Sequence, residues 1–193
     1  MNSLVTIYIY LNMKLEKTRF TEDFANINNL RFKRWILEPG MLFRSGSKWW
    51  GDKGPRDKQH NGLDLMLYET DERSQKAINP DTKVPIMYEG TLIKCIRDFL
   101  GYTLFAAHEI YEGDSQLFTI YGHVQKPVDT VIGKFFNRGE VISTISEPAN
   151  SKIPPHLHIS VALISKAIPL ETLSWKLLDN SKDIIFLDPM RFI

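Results

Sequence analysis

Three short segments of this chain alternate between apolar and chemically active side chains, the pattern of a β-strand with two different faces. They contain four of its five histidines and read His60-Asn-Gly-Leu-Asp64, Tyr121-Gly-His123 and His156-Leu-His158. In each segment the imidazole and carboxylate groups are predicted to share one face, backed by apolar residues. A sheet of such strands keeps a core behind it and presents metal-binding groups in front.

These segments contain the residue types that bind zinc. A catalytic zinc site takes three protein ligands from His, Asp, Glu or Cys and leaves one position for water. His60 and Asp64 are four residues apart on a predicted strand and point the same way, and Gly62 between them is expected to leave room for metal or substrate. His156 and His158 likewise share a face. A lone histidine is usually a satisfied core or surface residue, but three such groups together favour a metal site.

The order and spacing of these motifs resemble those of the lysostaphin-type (LytM-like, M23) zinc endopeptidases, which cut the peptides of peptidoglycan. The resemblance runs from about Gln59 to Leu163 and rests on His-x-x-x-Asp, Tyr-Gly-His-Val and Pro-His-Leu-His in that order. Residues 131–142, with Gly133 and Gly139, look like the family's pair of glycine turns between the second and third motifs. Each motif alone is common, whereas the ordered set is specific.

The resemblance implies roles for five residues. His60, Asp64 and His158 match the zinc ligands of the family, and His156 and His123 match its two catalytic histidines. Zn²⁺ is then the expected cofactor, activating a water molecule and polarising the scissile carbonyl. One imidazole would take a proton from that water, and the other would hydrogen-bond the oxyanion or protonate the leaving amine. The sequence leaves open which of the two histidines is the base.

Several nearby residues have open roles. Tyr121 is predicted to share a face with His123 and could bind substrate, although a strand tyrosine more often packs. Trp49 and Trp50 either line the groove or fix their turn-rich loop onto the body, and the two interpretations have similar weight. The fifth histidine, His108, is expected to be structural or solvent-facing.

The chain departs from the family pattern on both sides of the last motif. The preceding loop, usually glycine-rich in the family, spans residues 147–155 and contains three prolines, which stiffen it by fixing φ. The acidic residue often found after the motif is absent, and Ser160 and Val161 lie in its neighbourhood. Histidine ligands normally need a hydrogen-bond partner behind them, and the sequence does not identify one.

The predicted fold is mainly β: an antiparallel, sandwich-like domain with a zinc-containing groove and short helices near both ends of the chain. The helices are expected over residues 20–30 and 170–178. The apolar stretch 4–11 lacks a preceding basic region and a small-residue cleavage site, and it is too short to span a bilayer. It is predicted to be a strand, and no transmembrane segment is expected.

Three parts are expected along the chain. Residues 1–55 form an N-terminal extension and loop that pack on the domain, residues 56–165 form the metallopeptidase-like domain, and residues 166–193 form a C-terminal helix and tail. A net charge of +1 and the lack of a long basic stripe argue against a nucleic-acid partner. Nothing in the sequence indicates the oligomeric state.

The expected function is zinc-dependent hydrolysis of peptide bonds in peptidoglycan stem or cross-bridge peptides, which implies a location in the cell envelope or outside the cell. Without a recognisable signal peptide, the sequence leaves a cytoplasmic location open. Two alternatives are a non-catalytic zinc-binding or activator module of the cell envelope and a histidine phosphocarrier. Retention of all five matched positions disfavours the first, and Asp64 beside His60 favours a cation over a phosphate. The bond cut, the export route and a possible autoinhibited groove are undetermined.

Overall fold

Antiparallel β-strands make up most of the protein in the computed structural model, which describes residues 15–126, 132–147 and 152–193. The α-helices within these residues are α1 (Phe20–Ile27) and α2 (Trp175–Leu178), and short 3₁₀ turns span Pro39–Met41, Leu170–Thr172 and Pro189–Arg191. The strands are β1 (Phe32–Ile36), β2 (Leu63–Leu65), β3 (Leu67–Thr70), β4 (Gln75–Ala77), β5 (Lys83–Pro85), β6 (Gly90–Arg97), β7 (Tyr102–Glu112), β8 (Ser115–Val124), β9 (Phe135–Phe136), β10 (Val141–Thr144), β11 (Leu157–Ser165) and β12 (Ile184–Leu187).

One seven-stranded sheet contains the second motif segment and the last two residues of the first and third. His60 lies before β2 and His156 directly before β11, so neither of them is a strand residue as predicted. The order of the sheet is β12-β11-β8-β7-β6-β9, and β2 pairs with β11 beside β12. Two smaller sheets, β1-β3-β4 and β10-β5, complete the antiparallel architecture and confirm the predicted mainly β fold class. On β11, His158 lies opposite Asp64 of β2 on one side and opposite Gly122 of β8 on the other. Directly opposed residues of antiparallel strands share a face, so this register brings two motifs together.

The faces of β11 match the predicted alternation. Leu157, Ile159 and Val161 point into the main core, where they meet α1 and the smaller sheets. His158 and Ser160 occupy the other face, and that face continues into a second core. The second core combines residues of the large sheet with residues of the C-terminal segment: Phe105, Phe118, Ile120, Ala162, Ile164, Leu173, Leu178 and Ile184.

The C-terminal segment covers the sheet next to the histidines, but it is not the single helix predicted for residues 170–178. A 3₁₀ turn ends at Thr172, the next residue, Leu173, is buried, and α2 begins after Ser174. Ser174 has an extended backbone, and its side chain accepts a hydrogen bond from the Leu177 N–H. The leucine spacing predicted one continuous helix. It took no account of the Ser174 cap, at which a new helix begins.

The other elements of the prediction have different outcomes. α1 lies within the predicted residues 20–30, and the predicted strand at 4–11 lies outside the described residues. Among the described residues, no helix has both the length and the apolar character needed to cross a bilayer. The division of the chain at residues 55 and 165 remains a prediction.

Tyr121 does not share a face with His123, contrary to the sequence prediction. Its fully buried hydroxyl accepts a hydrogen bond from the Met87 N–H at 2.7 Å and lies 2.8 Å from the Thr119 hydroxyl. The alternation of β8 fails because His123 has a left-handed backbone with φ of 62°, which turns its side chain away from the core. Tyr121 therefore has no access to a substrate in the groove.

His108 is structural, one of the two roles expected for it. Its ring is fully buried, with Nδ1 2.9 Å from the Glu89 carbonyl and Nε2 2.8 Å from the Thr119 hydroxyl. Burial lowers the pKa of His108 to about 4, so the ring is neutral near pH 7. His108, Thr119 and Tyr121 thus form one hydrogen-bonded cluster in the main core.

Replacing Tyr121 by phenylalanine tests this cluster. Tyr121→Phe leaves the buried Met87 N–H without its partner, and we expect a loss of about 1–3 kcal/mol in the free energy of unfolding. Urea denaturation monitored by circular dichroism would measure it. Tyr111→Phe is the matched control because Tyr111 is half exposed, and its effect should stay within about 0.5 kcal/mol. Equal effects of the two substitutions would contradict the assignment.

Candidate metal centre

Three potential ligand atoms from distant parts of the chain meet at one buried point. His60 Nε2 lies 3.1 Å from Asp64 Oδ1 and 3.1 Å from His158 Nδ1, and His158 Nδ1 lies 2.8 Å from the same carboxylate oxygen. The three side chains are buried, and they form the one group of this kind found among the described residues. The structure thus brings together the three residues predicted as ligands.

The protonation pattern at this point fits a cation. His60 Nδ1 lies 3.0 Å from the Leu42 carbonyl, which can only accept, so a neutral His60 carries its hydrogen there and a lone pair on Nε2. Burial alone would raise the pKa of the Asp64 carboxyl, but His60 and His158 hold that pKa well below its usual range. A carboxylate oxygen facing imidazole nitrogens in a buried site is the donor set of a catalytic zinc centre.

The distances between the ligand atoms also suit zinc. Bonds of about 2.0–2.1 Å to a tetrahedral ion separate the ligand atoms by roughly 3.4 Å. The separations here are 2.8–3.1 Å. A small outward movement of the three side chains would therefore admit the ion.

Each candidate ligand has a hydrogen-bond partner behind it, as metal-binding side chains normally do. Ser160 Oγ lies 2.9 Å from His158 Nε2, and the Leu42 carbonyl supports His60. The Trp49 indole N–H donates to Asp64 Oδ2 at 2.7 Å. Sequence reasoning missed all three roles. The signal for the serine was present, because it lies two residues after His158 on the same strand face.

Gly62 provides space of a different kind from the one expected. A Cβ at this position would lie 2.6 Å from both His158 Nε2 and Ser160 Oγ. The missing side chain therefore makes room for the supporting hydrogen bond of His158. Any larger residue at Gly62 would displace that pair.

The two remaining histidines border the candidate metal centre. His156 Nε2 lies 4.0 Å from Asp64 Oδ1, and its Nδ1 lies 2.8 Å from the Pro154 carbonyl. The carbonyl again fixes the hydrogen on Nδ1 and leaves the lone pair on Nε2. Burial lowers the pKa of His156 to about 4. The His123 ring centroid lies 4.8 Å from that of His156 and 5.9 Å from that of His158.

A groove of about 340 Å³ opens above these five residues. Three large aromatic side chains line it, Trp50, the exposed Phe99 and Trp175, together with polar and charged residues. The two tryptophans of the loop before the first motif thus have different positions. Trp49 is buried against Asp64, whereas Trp50 lines the groove and stacks with Arg56, whose guanidinium carbon lies 4.6 Å from the ring centroid.

Comparison with known proteins places the fold. No family model and no curated protein sequence matches the chain. The NMR solution structure of lysostaphin matches with a TM-score of 0.50 at 17% identity, over 85% of this chain and 50% of that one. The catalytic domain of the antimicrobial peptidase lysostaphin from Staphylococcus simulans gives a TM-score of 0.48 at 16% identity, over 86% of this chain and 94% of that one. The structure of LytU gives a TM-score of 0.48 at 16% identity, over 82% of this chain and 83% of that one.

The likeness to the lysostaphin solution structure shows the fold alone, because the two sequences are only 17% identical. The chain has a lysostaphin-type M23 peptidase fold, as the motifs predicted. The fold by itself does not assign an activity. Metal binding and catalysis therefore depend on the residues of the candidate centre.

Removing one ligand should abolish zinc binding. We expect one zinc ion per wild-type chain and none after Asp64→Ala or His158→Ala, because two ligands hold a catalytic ion poorly. His156→Ala and His123→Ala should retain it. Elemental analysis after dialysis against a weak chelator gives the stoichiometry. Zinc lost in His156→Ala and retained in His158→Ala would reverse the assignment of ligands.

The support behind His158 has its own test. Ser160→Ala removes the hydrogen-bond partner of His158 Nε2 and should weaken zinc affinity by about 10–100-fold, measured by competition with a chelating dye. Ser165→Ala, at the end of the same strand, is the control, since the Ser165 hydroxyl accepts a hydrogen bond from the nearby Ala167 N–H and lies away from the candidate centre. Unchanged affinity in Ser160→Ala would refute the supporting role.

Proposed function

We propose that this protein is a zinc-dependent endopeptidase that hydrolyses peptide bonds in peptidoglycan stem or cross-bridge peptides. The observation that carries the proposal is the meeting of His60, Asp64 and His158 at one buried point beneath a groove, beside two further imidazoles. Zn²⁺ bound by these three residues would lower the pKa of a water molecule towards ~7 and polarise the scissile carbonyl.

His156 is the residue best suited to act as general base. Its Nδ1–H is held by the Pro154 carbonyl, so its free lone pair is on Nε2, near Asp64. Because burial lowers its pKa to about 4, the ring is neutral at pH 7 and can accept a proton. A positioned base of this kind contributes about 10²–10⁴-fold to a rate.

His123 is the second proton carrier in this scheme. As the water oxygen attacks the carbonyl, its proton passes to His156. The C–N bond then breaks while the amine nitrogen takes a proton, and His123 is positioned beside His156 to supply it or to hydrogen-bond the developing oxyanion. Exchange with solvent returns both rings to their starting states.

The large aromatic residues that line the groove support the proposal of a peptide substrate. Trp50, Phe99 and Trp175 offer apolar surface on which a peptide can pack, and the charged residues Lys58 and Asp179 also line the groove. The motif resemblance and the likeness to lysostaphin, an antimicrobial peptidase by name, support peptidoglycan as its source. A location in the cell envelope or outside the cell is part of the proposal.

Loss of the base should separate catalysis from metal binding. His156→Ala is expected to keep its zinc and to lose about 10²–10⁴-fold in kcat. Defined muropeptides, incubated with the protein and analysed by mass spectrometry, would measure this. Tyr111→Ala is the control, because it removes a ring from the half-exposed end of β7. A chelator should stop the wild-type reaction, and added zinc should restore it.

Other results would identify the alternatives. Stoichiometric zinc without cleavage of any muropeptide or purified cell wall would contradict the peptidase proposal and favour a non-catalytic module. Cleavage that survives complete removal of metal would contradict the role of zinc. A phosphohistidine formed with a phosphoryl donor would favour a phosphocarrier.

A further inference from the structure

His123 has an unusual backbone for a strand residue. Among the described non-glycine residues with positive φ, it is the one that lies inside a strand, at φ of 62° near the end of β8. A left-handed backbone is unfavourable for a non-glycine residue and persists only where surrounding contacts enforce it. Those contacts identify a residue that the motifs do not contain.

The Asp98 carboxylate holds His123 by both its backbone and its ring. Asp98 Oδ2 accepts a hydrogen bond from the His123 N–H at 3.0 Å. Asp98 Oδ1 lies 3.3 Å from His123 Nδ1. The side chain of Asp98 is 1% exposed, so solvent does not compete for these contacts. One buried carboxylate thus opposes two groups of the same histidine.

Asp98 is itself fixed by neighbours that only donate to it. The Leu100 N–H donates to Oδ1 at 2.8 Å, and the Thr103 hydroxyl donates to Oδ2 at 2.8 Å. The hydroxyl has no freedom to reverse, because the Trp175 indole N–H donates to Thr103 Oγ1 at 3.0 Å. Burial alone would raise the pKa of Asp98, but the interactions with His123 and Thr103 hold it far below its usual value.

An ionised carboxylate can only accept hydrogen bonds, so it favours the hydrogen of a neutral His123 on Nδ1. Nδ1 is buried, and it has no well-aligned partner in the described structure. The acceptor that faces a hydrogen on Nδ1 is therefore Asp98 Oδ1, at 3.3 Å. Such contacts are often long before a substrate binds and shorten when it does. This leaves Nε2 as the nitrogen available to the groove.

We propose that Asp98 is a positioning residue for His123: it fixes the Nδ1–H tautomer and the left-handed backbone, and so presents Nε2 to the substrate. The inference rests on the proposed peptidase function. His123 then has an anionic carboxylate behind it, whereas His156 has the neutral Pro154 carbonyl. Because the Nδ1–H tautomer leaves a lone pair on Nε2, His123 supplies a proton to the leaving amine only after Nε2 has taken one up from solvent. The Asp98 carboxylate stabilises the charged ring formed in that step, whereas His156 accepts the proton of the attacking water.

Asp98→Asn is the direct test. The amide oxygen can keep the Oδ2 position, where two donors meet it. This puts the NH₂ group opposite His123 Nδ1 and deprives the Leu100 N–H of its acceptor at the Oδ1 position. An NH₂ group donates, so the ring should switch to the Nε2–H tautomer. Long-range ¹H–¹⁵N NMR of the zinc-loaded protein, with His123 assigned through His123→Gln, reports which nitrogen carries hydrogen.

We expect Nδ1–H in the wild type and Nε2–H in Asp98→Asn, with unchanged zinc content. kcat on a cleaved muropeptide should fall by about 10²–10⁴-fold, and KM should change little. The matched control is Asp188→Asn, whose carboxylate likewise accepts a backbone N–H, from Met190, and does not line the groove. That variant should keep the wild-type tautomer and kcat.

A second variant covers the case in which Asp98→Asn does not fold. Thr103→Val removes one donor to Asp98 and should lower kcat less than Asp98→Asn, with zinc retained. An Nε2–H wild-type ring, an unchanged tautomer in Asp98→Asn, or unchanged kcat in either folded variant would overturn the proposal. Failure of the proposed function is distinguishable, because zinc-loaded wild type would then cleave no peptide while the NMR result still decides the tautomer.

Discussion

The pairing of β11 with β2 on one side and β8 on the other is the constraint on which the candidate centre depends. It sets His158 opposite Asp64 and opposite Gly122. Side chains alternate along a strand, so a slip of one residue in this register would send His158 into the main core. The apolar residues Leu157 and Ile159 oppose that slip, because they would lose their buried positions. The hydrophobic core thus specifies the position of the metal-binding groups.

Electrostatics explains why so many supporting contacts surround the centre. A buried carboxylate is costly unless donors or charges compensate it, and two such groups lie close to the groove here. Asp64 has Trp49 and two histidines, and Asp98 has Leu100, Thr103 and His123. Each carboxylate therefore has a different set of partners. The partners of Asp64 include two imidazole nitrogens that could share a cation with it, whereas those of Asp98 include a single imidazole.

The sequence predicted the parts that follow from local periodicity. The alternation of 156–163 gave the correct faces of β11, and the ordered motifs gave the correct fold. It could not predict the support from Leu42, Trp49 and Asp98, because these contacts join segments distant in the chain. It also gave the wrong face relation for Tyr121 and His123, since alternation assumes an extended backbone and His123 departs from it.

The shortness of β2 has a consequence for how an ion would exchange. β2 has three residues and pairs with β11. Of the three candidate ligands, Asp64 lies in this strand and His60 precedes it, while His158 belongs to the nine-residue β11. Separation of this short strand from β11 would then limit the release of a bound ion. The rate of release would follow the local opening of a few backbone hydrogen bonds. The same opening would leave the folded body of the protein intact.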